Sequence, residues 1–470
     1  MSKTFTKEEV ARHTSADDCW VIINDRVYDV SAFLDDHPGG KAVLLSQGGK
    51  DATDTFEMLH NDGVLKKYGP EMLVGVIAGS AADTGGDAPA PAAAQAAAPA
   101  SSLPPPPTST LATPVTAMLG IQYPVILAGM NAVAHADLVA AVSNAGGLGV
   151  LGGLSLTPAM LRHQIRDVKE QLTPGPTAKF GVDLALPQIG GGARKTNHDY
   201  THGKLPELVD IMIEEGASLF VCAVGVPPKW VVNKLHAAGI PVMNMVGHPK
   251  HVDKALAVGV DLICAQGTEG GGHTGEIGTS VLVPMCVDRC KGRRSALTGG
   301  PVHVVAAGGV FDGRGLAAAL AWGASAVWVG TRFVAAAEAS APARHKDALV
   351  GAGPTDTART LIYSGRPLRT LVTPYVRDWH EHRAREIEVA CARGEVPFIA
   401  DARKLQASET GEVRVGPNNV EFGIGSAMPL LMGQAAGAIG SVEPAAKILH
   451  DMVRDAMDII RGNAALISRL

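Results

Sequence analysis

Long apolar runs, clustered cysteines and an excess of positive charge are all missing from this sequence. The most apolar late stretch, 426–440, is too short to cross a bilayer and contains Gln434. No early segment has the order of a secretory signal, so a soluble chain without a membrane span is expected. Six cysteines are scattered along 470 residues. Cys286 and Cys290 fit one helix face, but two thiols do not close a zinc site. Reduced, buried thiols are the expectation. With a net charge of −5 there is no nucleic-acid footprint. The charge is uneven: residues 1–80 carry 13 acidic against 8 basic side chains, and the remainder balances at 33 of each. An acidic first segment can be steered towards a basic docking surface.

Between 81 and 110 the chain lacks anything that builds a core, with no aromatic and one large apolar residue, Leu103. Its Pro-rich parts are expected to be extended and semi-stiff. This divides the sequence into a small domain at 1–80, an Ala/Pro-rich linker at 81–110 and a large domain at 111–470.

The large domain turns on one stretch, Gln266-Gly-Thr-Glu-Gly-Gly-Gly-His-Thr-Gly-Glu276. It follows an apolar run that reads as a buried strand. Gly270, Gly271 and Gly272 permit backbone conformations and close approaches that a Cβ forbids. His273 stands after them as a base with an expected pKa near neutrality. A strand running into a bare-backbone loop with a histidine reads as the floor of a cofactor site.

Eight apolar runs, at 125–130, 148–153, 180–186, 219–225, 241–247, 261–267, 303–309 and 326–333, alternate with helical stretches such as 136–144, 205–216, 228–238, 249–258 and 315–322. Eight strand–helix units predict an α/β (β/α)8 barrel. A helical extension is expected at 380–392 and 444–462. Chemistry in such barrels gathers at the strand C-terminal ends, and phosphate at the loops after the seventh and eighth strands. Gly308-Gly309 and Gly330-Thr331 occupy those loops, so a mononucleotide is expected with its ring near Met130 and Gln266.

In the first 80 residues, alternating runs at 19–24 and 26–30 read as strands joined by an Asn24-Asp25 turn. His37 precedes a Pro-Gly-Gly turn, and His60 lies 23 residues further on, with short helices expected at 42–45 and 52–59. Two histidines at the tips of helical hairpins suit a flat ligand held from both faces.

Val-Tyr-Asp-Val-x-x-Phe, His-Pro-Gly-Gly and Phe-Glu-x-x-His together resemble the cytochrome b5 family, over about residues 3–79. The resemblance implies a small α+β domain binding haem b, with His37 and His60 as axial ligands. Two protein ligands leave no open position, which suits electron transfer. The runs Ile121-Gln-Tyr-Pro-Val-Ile-Leu-Ala-Gly-Met, Gly181-Val-Asp-Leu, the 266–276 loop, Ala306-Ala-Gly-Gly-Val-Phe-Asp-Gly-Arg-Gly, Gly330-Thr-Arg-Phe, Ser364-Gly-Arg-Pro and Gly433-Gln resemble the nitronate monooxygenase (2-nitropropane dioxygenase) family, over roughly 114–450. That resemblance implies FMN, His273 as the catalytic histidine, and flavin contacts at Gly129, Met130, Asp183, Gln266, Gly271, Gly272, Gly308, Gly309, Gly330 and Thr331. Many relatives carry Asn where this chain has Asp183, which implies a negative charge near the ring.

The implied activity is oxidation of a nitronate or nitroalkane by dioxygen to a carbonyl compound and nitrite, with the haem and FMN domains docking to exchange electrons. The Gly-Gly-His-x-Gly-Glu pattern also resembles FMN-dependent enoyl and quinone reductases, which implies NAD(P)H as an alternative reductant. A haem module serving only as a sensor or docking unit is the other alternative. The terminal Ser468-Arg469-Leu470 resembles a peroxisomal address, so peroxisome or cytoplasm is the expected location.

Overall fold

The computed structural model describes residues 3–35, 37, 41–60, 62–80, 106–107, 109–407, 412–415 and 420–466. Pro38-Gly39-Gly40, nearly all of the 81–110 stretch and Ser468-Arg469-Leu470 lie outside the described residues. The chain divides into two compact units. One takes Met1–Ala96 with Ala341–His345 and Asp401–Met428; the other takes Ala97–Ser340, Lys346–Ala400 and Pro429–Leu470.

In the first unit, Asp18–Ile23 and Arg26–Asp29 form an antiparallel hairpin. Asn24 and Asp25 both adopt positive φ, 50° and 59°. A two-residue turn needs that twist, and Asn and Asp tolerate it best after glycine. The sheet runs Thr4–Phe5, Leu73–Ile77, Arg26–Asp29, Asp18–Ile23, Thr14–Ser15. Strand alternation gives it two apolar faces. Cys19, Val21 and Ile23 enter one core with Tyr28 and Leu34, while Ile22 and Val27 enter another with Val10 and Ile77. Helices Lys41–Leu45, Thr53–Leu59 and Asp62–Met72 cover the first of these. They match the two helices expected from sequence within a residue, and add a third.

The second unit contains all eight expected strands: β1 (Val125–Leu127), β2 (Gly149–Gly152), β3 (Phe180–Ala185), β4 (Leu219–Ala223), β5 (Val242–Val246), β6 (Leu262–Gln266), β7 (His303–Ala307) and β8 (Ala326–Val329). Each pairs in parallel with the next, from β2 round to β8, and β8 pairs with β1. Ile126 bridges to Leu148 and closes the ring. Strands buried on both faces are near-continuous apolar runs, and this is why the eight were legible. The last run ends as strand at Val329, and helix begins at Thr331.

The barrel interior holds Ile126, Val150, Leu219, Val221, Met243, Leu262, Val305 and Trp328. Its floor is plugged by the helix Pro114–Leu119, whose Val115 and Leu119 join that core. Thr113 caps this helix through its side chain, Pro114 starts it, and Gly120 ends it at φ 65°. Burying each of those two side chains contributes about 1.5–3 kcal/mol.

Two features depart from expectation. The helix expected at 380–392 is broken at Arg383 into Pro374–His382 and Ala384–Arg393. A three-stranded antiparallel sheet of Gly272–His273, Leu368–Leu371 and Thr357–Thr360 was not foreseen. Its strands of two to four residues carry too little pattern to read. The extension ends in the long amphipathic helix Ala445–Ala464. Among the described residues, no helix is long and apolar enough to cross a membrane.

Candidate active site at the barrel mouth

The 267–278 loop leaves β6 at its C-terminal end, and its backbone is fixed at His273 from two sides. Gly272 takes φ 69°, and His273 pairs with Leu368 in the small sheet. Gln266 Nε2 donates to His273 O at 2.9 Å. The imidazole is fixed as well: Nε2 lies 2.9 Å from Ser364 Oγ. Nδ1 has no protein partner among the described residues. Burial, and secondarily the Arg366 guanidinium, lower the His273 pKa to about 4. The expectation of a base near neutrality is therefore corrected. At physiological pH this ring is neutral, and it is a weak proton acceptor.

Arg366 donates from Nε to Asn197 Oδ1 at 3.0 Å, and Arg194 Nη1 reaches Gly365 O at 3.5 Å. Neither arginine has a carboxylate partner among the described residues, and burial pulls Arg366 below its ordinary range, with Tyr200 and Arg194 nearby. The Arg366 guanidinium next to the neutral histidine, with Arg194 beside Arg366, makes this side of the mouth electropositive.

The predicted glycines line the strand ends as bare backbone. Gly308 and Gly309 take φ 92° and 75° after β7. A Cβ on Gly308 would stand 2.8 Å from Gly267 O. Among the described residues, no protein acceptor takes the N–H of Gly308 or Gly309. Free N–H groups in left-handed backbone are a donor set that suits a phosphate. Beside them, a Cβ on Gly330 would meet Met130 Sδ at 3.6 Å, so Met130 and Gly330 share one edge of the mouth. The FMN residues expected from sequence are thus brought to one end of the barrel, and the donors present fit the group.

Gly271 and Thr331 have structural work there. Thr331 Oγ1 accepts from Gly433 N at 2.9 Å, and a Cβ on Gly271 would stand 2.8 Å from that same nitrogen. Both hold the 432–434 segment against the loop, where Gln434 N donates to Glu269 O.

Four residues at this site had no role assigned from sequence. Glu269 accepts from Thr279 N through both carboxylate oxygens at 3.0 Å. Thr279 Oγ1 lies 2.8 Å from Glu269 Oε2 and 2.8 Å from Gly308 O, which ties the histidine loop to the glycine pair. Ser364 and Arg366 stand 91 and 93 positions beyond His273. Their signal was present in the Ser-Gly-Arg-Pro motif, but nothing local says which residue that motif meets.

Asp183 corrects a second expectation. It is 8% exposed, and its Oδ1 is buried without a hydrogen-bond partner. Burial pushes its pKa well above the ordinary carboxylate range. The negative charge expected near the ring is therefore disfavoured, because burial without a partner penalises the carboxylate form.

In the first unit, the His37 and His60 rings stand 6.0 Å apart between centroids at an interplanar angle of 84°. An iron bonded to one nitrogen of each ring at ~2 Å, with a ring radius of ~1.1 Å added on either side, requires roughly 6 Å. Phe33 lies 5.9 Å from His37, Phe56 lies 4.8 Å from His60, and Leu44, Leu45 and Leu65 give further apolar wall. The pair fits a haem held by both histidines. All six cysteines are free thiols, and burial pushes Cys286 up to about 12 and Cys290 up to about 11. Neither is poised as a thiolate.

Comparison with known proteins gives two family matches. The nitronate monooxygenase pattern matches residues 112–455, and the cytochrome b5-like haem/steroid binding domain pattern matches residues 6–78. A nitronate monooxygenase of Pseudomonas aeruginosa is 34% identical over 72% of this chain and 98% of its own length. A (3aS,4S,5R,7aS)-5-hydroxy-7a-methyl-1-oxo-octahydro-1H-indene-4-carboxyl-CoA dehydrogenase of Mycobacterium tuberculosis is 38% identical over 56% of this chain and 66% of its own length. Among solved structures, FabK from Thermotoga maritima superposes with a TM-score of 0.60 at 28% identity, over 76% of this chain and all of that one.

Proposed function

Because this chain belongs to the nitronate monooxygenase family of FMN-dependent oxidoreductases, and carries a cytochrome b5-like domain ahead of the family's barrel, we propose that it oxidises a small nitronate anion to a carbonyl compound and nitrite. The observation that carries this reading is a neutral, fixed His273 next to Arg366, which has no carboxylate partner among the described residues and has Arg194 nearby. FMN, when bound, would supply the redox chemistry between the nitronate and dioxygen, with dioxygen as the oxidant and the source of the carbonyl oxygen. Gly308, Gly309, Gly330 and Met130 would hold it, and Gln266 supports the loop against it through its bond to His273 O.

The chain's own residues then act electrostatically. Arg366 attracts the negative nitro oxygens; opposite charge is strongest in a part-buried setting. Ser364 fixes the imidazole through Nε2 and leaves Nδ1 to meet the substrate. A ring with a pKa of about 4 is poorly matched to removing a proton from a neutral nitroalkane at pH 7. Preformed nitronate is therefore the better substrate of the two nitro forms.

His37 and His60 would hold haem b, which carries electrons when bound. The acidic first domain on its tether supports electron exchange with the barrel. A second reading rests on the Gly-Gly-His-Thr-Gly-Glu run at 271–276, which resembles that of FMN-dependent enoyl and quinone reductases. In it the barrel is reduced by NAD(P)H and passes electrons to an enoyl or quinone acceptor or to the haem.

Anaerobic stopped-flow mixing of the holo-protein separates these. Nitronate should bleach the flavin absorbance, NAD(P)H should not, and haem reduction should follow the flavin. Fast bleaching by NAD(P)H with no nitrite from either nitro form would transfer the assignment to the reductase. Haem that stays oxidised throughout would leave that module as a sensor or docking unit.

A further inference from the structure

Asp183 is the one deeply buried acidic group of the barrel mouth that has no internal explanation. It lies near the C-terminal end of β3, in register with Gly152 of β2 and Val221 of β4. Space for it is made by Gly129: a Cβ there would come within 2.4 Å of Asp183 Cβ and 2.9 Å of Oδ2. Its backbone carbonyl is used, accepting from Gly153 N at 2.9 Å. Its carboxyl is not, since Oδ1 is buried and unpartnered and no described cation forms an ion pair with it. The titratable neighbours whose charges reach it are Cys222 on β4 and Cys264 on β6, both buried and both held firmly as thiols. From β1 and β2 it meets the backbone of Gly129 and Gly153.

A buried carboxyl with no donor or cation around it is stable only as the neutral acid. The neutral acid has one O–H to donate, and a buried donor must find an acceptor. Among the described residues no hydrogen bond reaches Oδ1, and the missing Cβ at position 129 leaves room beside the carboxyl at the end of the barrel strands. We propose that Asp183, in its carboxylic-acid form, donates a hydrogen bond to an acceptor atom of the flavin ring. It thereby supplies from an acid the donor that an amide of the same shape would supply. This rests on the reading that the barrel binds FMN.

The test uses the full chain, with and without FMN, as wild type, Asp183→Asn and Asp183→Ala. Infrared difference spectra at neutral pH should show the carbonyl stretch of a protonated carboxylic acid. It should be missing in Asp183→Asn and shifted to lower frequency when FMN is added to wild type. FMN titration of the apo-proteins, followed by flavin fluorescence, should give Asp183→Asn an affinity within a few-fold of wild type. Asp183→Ala should bind about tenfold to a hundredfold more weakly, with circular dichroism confirming that it is folded. A carboxylate signal in place of the acid band, an acid band that FMN does not move, or equal affinity in the alanine variant would overturn the proposal. If no variant takes up FMN, the flavin reading itself fails, and the acid band in the apo-protein reports that separately.

Discussion

His273 provides the most discriminating experiment, because its surroundings set a number. Burial and Arg366 bring its pKa to about 4 from an ordinary value of 6.5. At about pH 5.5 such a ring is only ~3% protonated, whereas an unperturbed one is ~90% protonated. Turnover that needs the neutral ring should therefore stay nearly flat from pH 8 down to pH 5.5. An ordinary histidine would lose about tenfold over the same range. The assay is kcat/KM for nitrite release from preformed nitronate, with His273→Asn measured in parallel to subtract the substrate's own protonation. Stability carries the same signature. A histidine whose pKa is depressed on folding contributes stability that is present above 6.5 and lost as pH falls through 4. A gap of 2.5 units corresponds to about 3 kcal/mol by pH 4, where the folded ring is half protonated. Wild type should lose that much more than His273→Asn between pH 7 and 4 in urea unfolding. A wild-type activity profile that falls with an apparent pKa near 6.5, absent in the variant, would refute the argument that the ring is buried and neutral.

Three further outcomes follow from particular contacts. His60→Ala removes one ring of the 6.0 Å pair and should abolish the low-spin haem spectrum; a wild-type protein that takes up no haem would sink the bis-histidine assignment. Gly271→Ala places a Cβ 2.8 Å from Gly433 N and the Met432 carbonyl carbon, which are backbone and cannot rotate away. It should cost about 1–3 kcal/mol and weaken FMN binding, and unchanged thermal unfolding would show that the latch is slack. Asp183→Asn should raise the melting temperature at neutral pH, since a carboxyl whose pKa is raised on folding loses stability as pH rises above its unfolded value, by about 1.4 kcal/mol per unit until the folded pKa is reached. The advantage should vanish near pH 4, and a variant less stable than wild type at pH 7 would mean the carboxyl has an ionic partner after all.

Much of this architecture was legible along the chain. Eight runs such as 219–225 and 303–309 read as strands because a strand buried on both faces must be apolar throughout. The Asn24-Asp25 hairpin was legible because a two-residue turn demands positive φ, which few residues accept. His37, His60 and His273 stand out as candidates because motif residues surround them within a few positions. The fold resolved differently where a property belongs to no local segment. Ser364 finds His273 across 91 residues, through strands too short to have a pattern of their own. The break at Arg383 falls inside a run with the right period for one helix. Most of all, the proton affinities shifted. His273 read as a base near neutrality and Asp183 as a fixed negative charge, yet packing lowers the pKa of the first to about 4 and raises that of the second. A residue's type sets its pKa in water, but how much water remains around it is decided only when distant segments close over it.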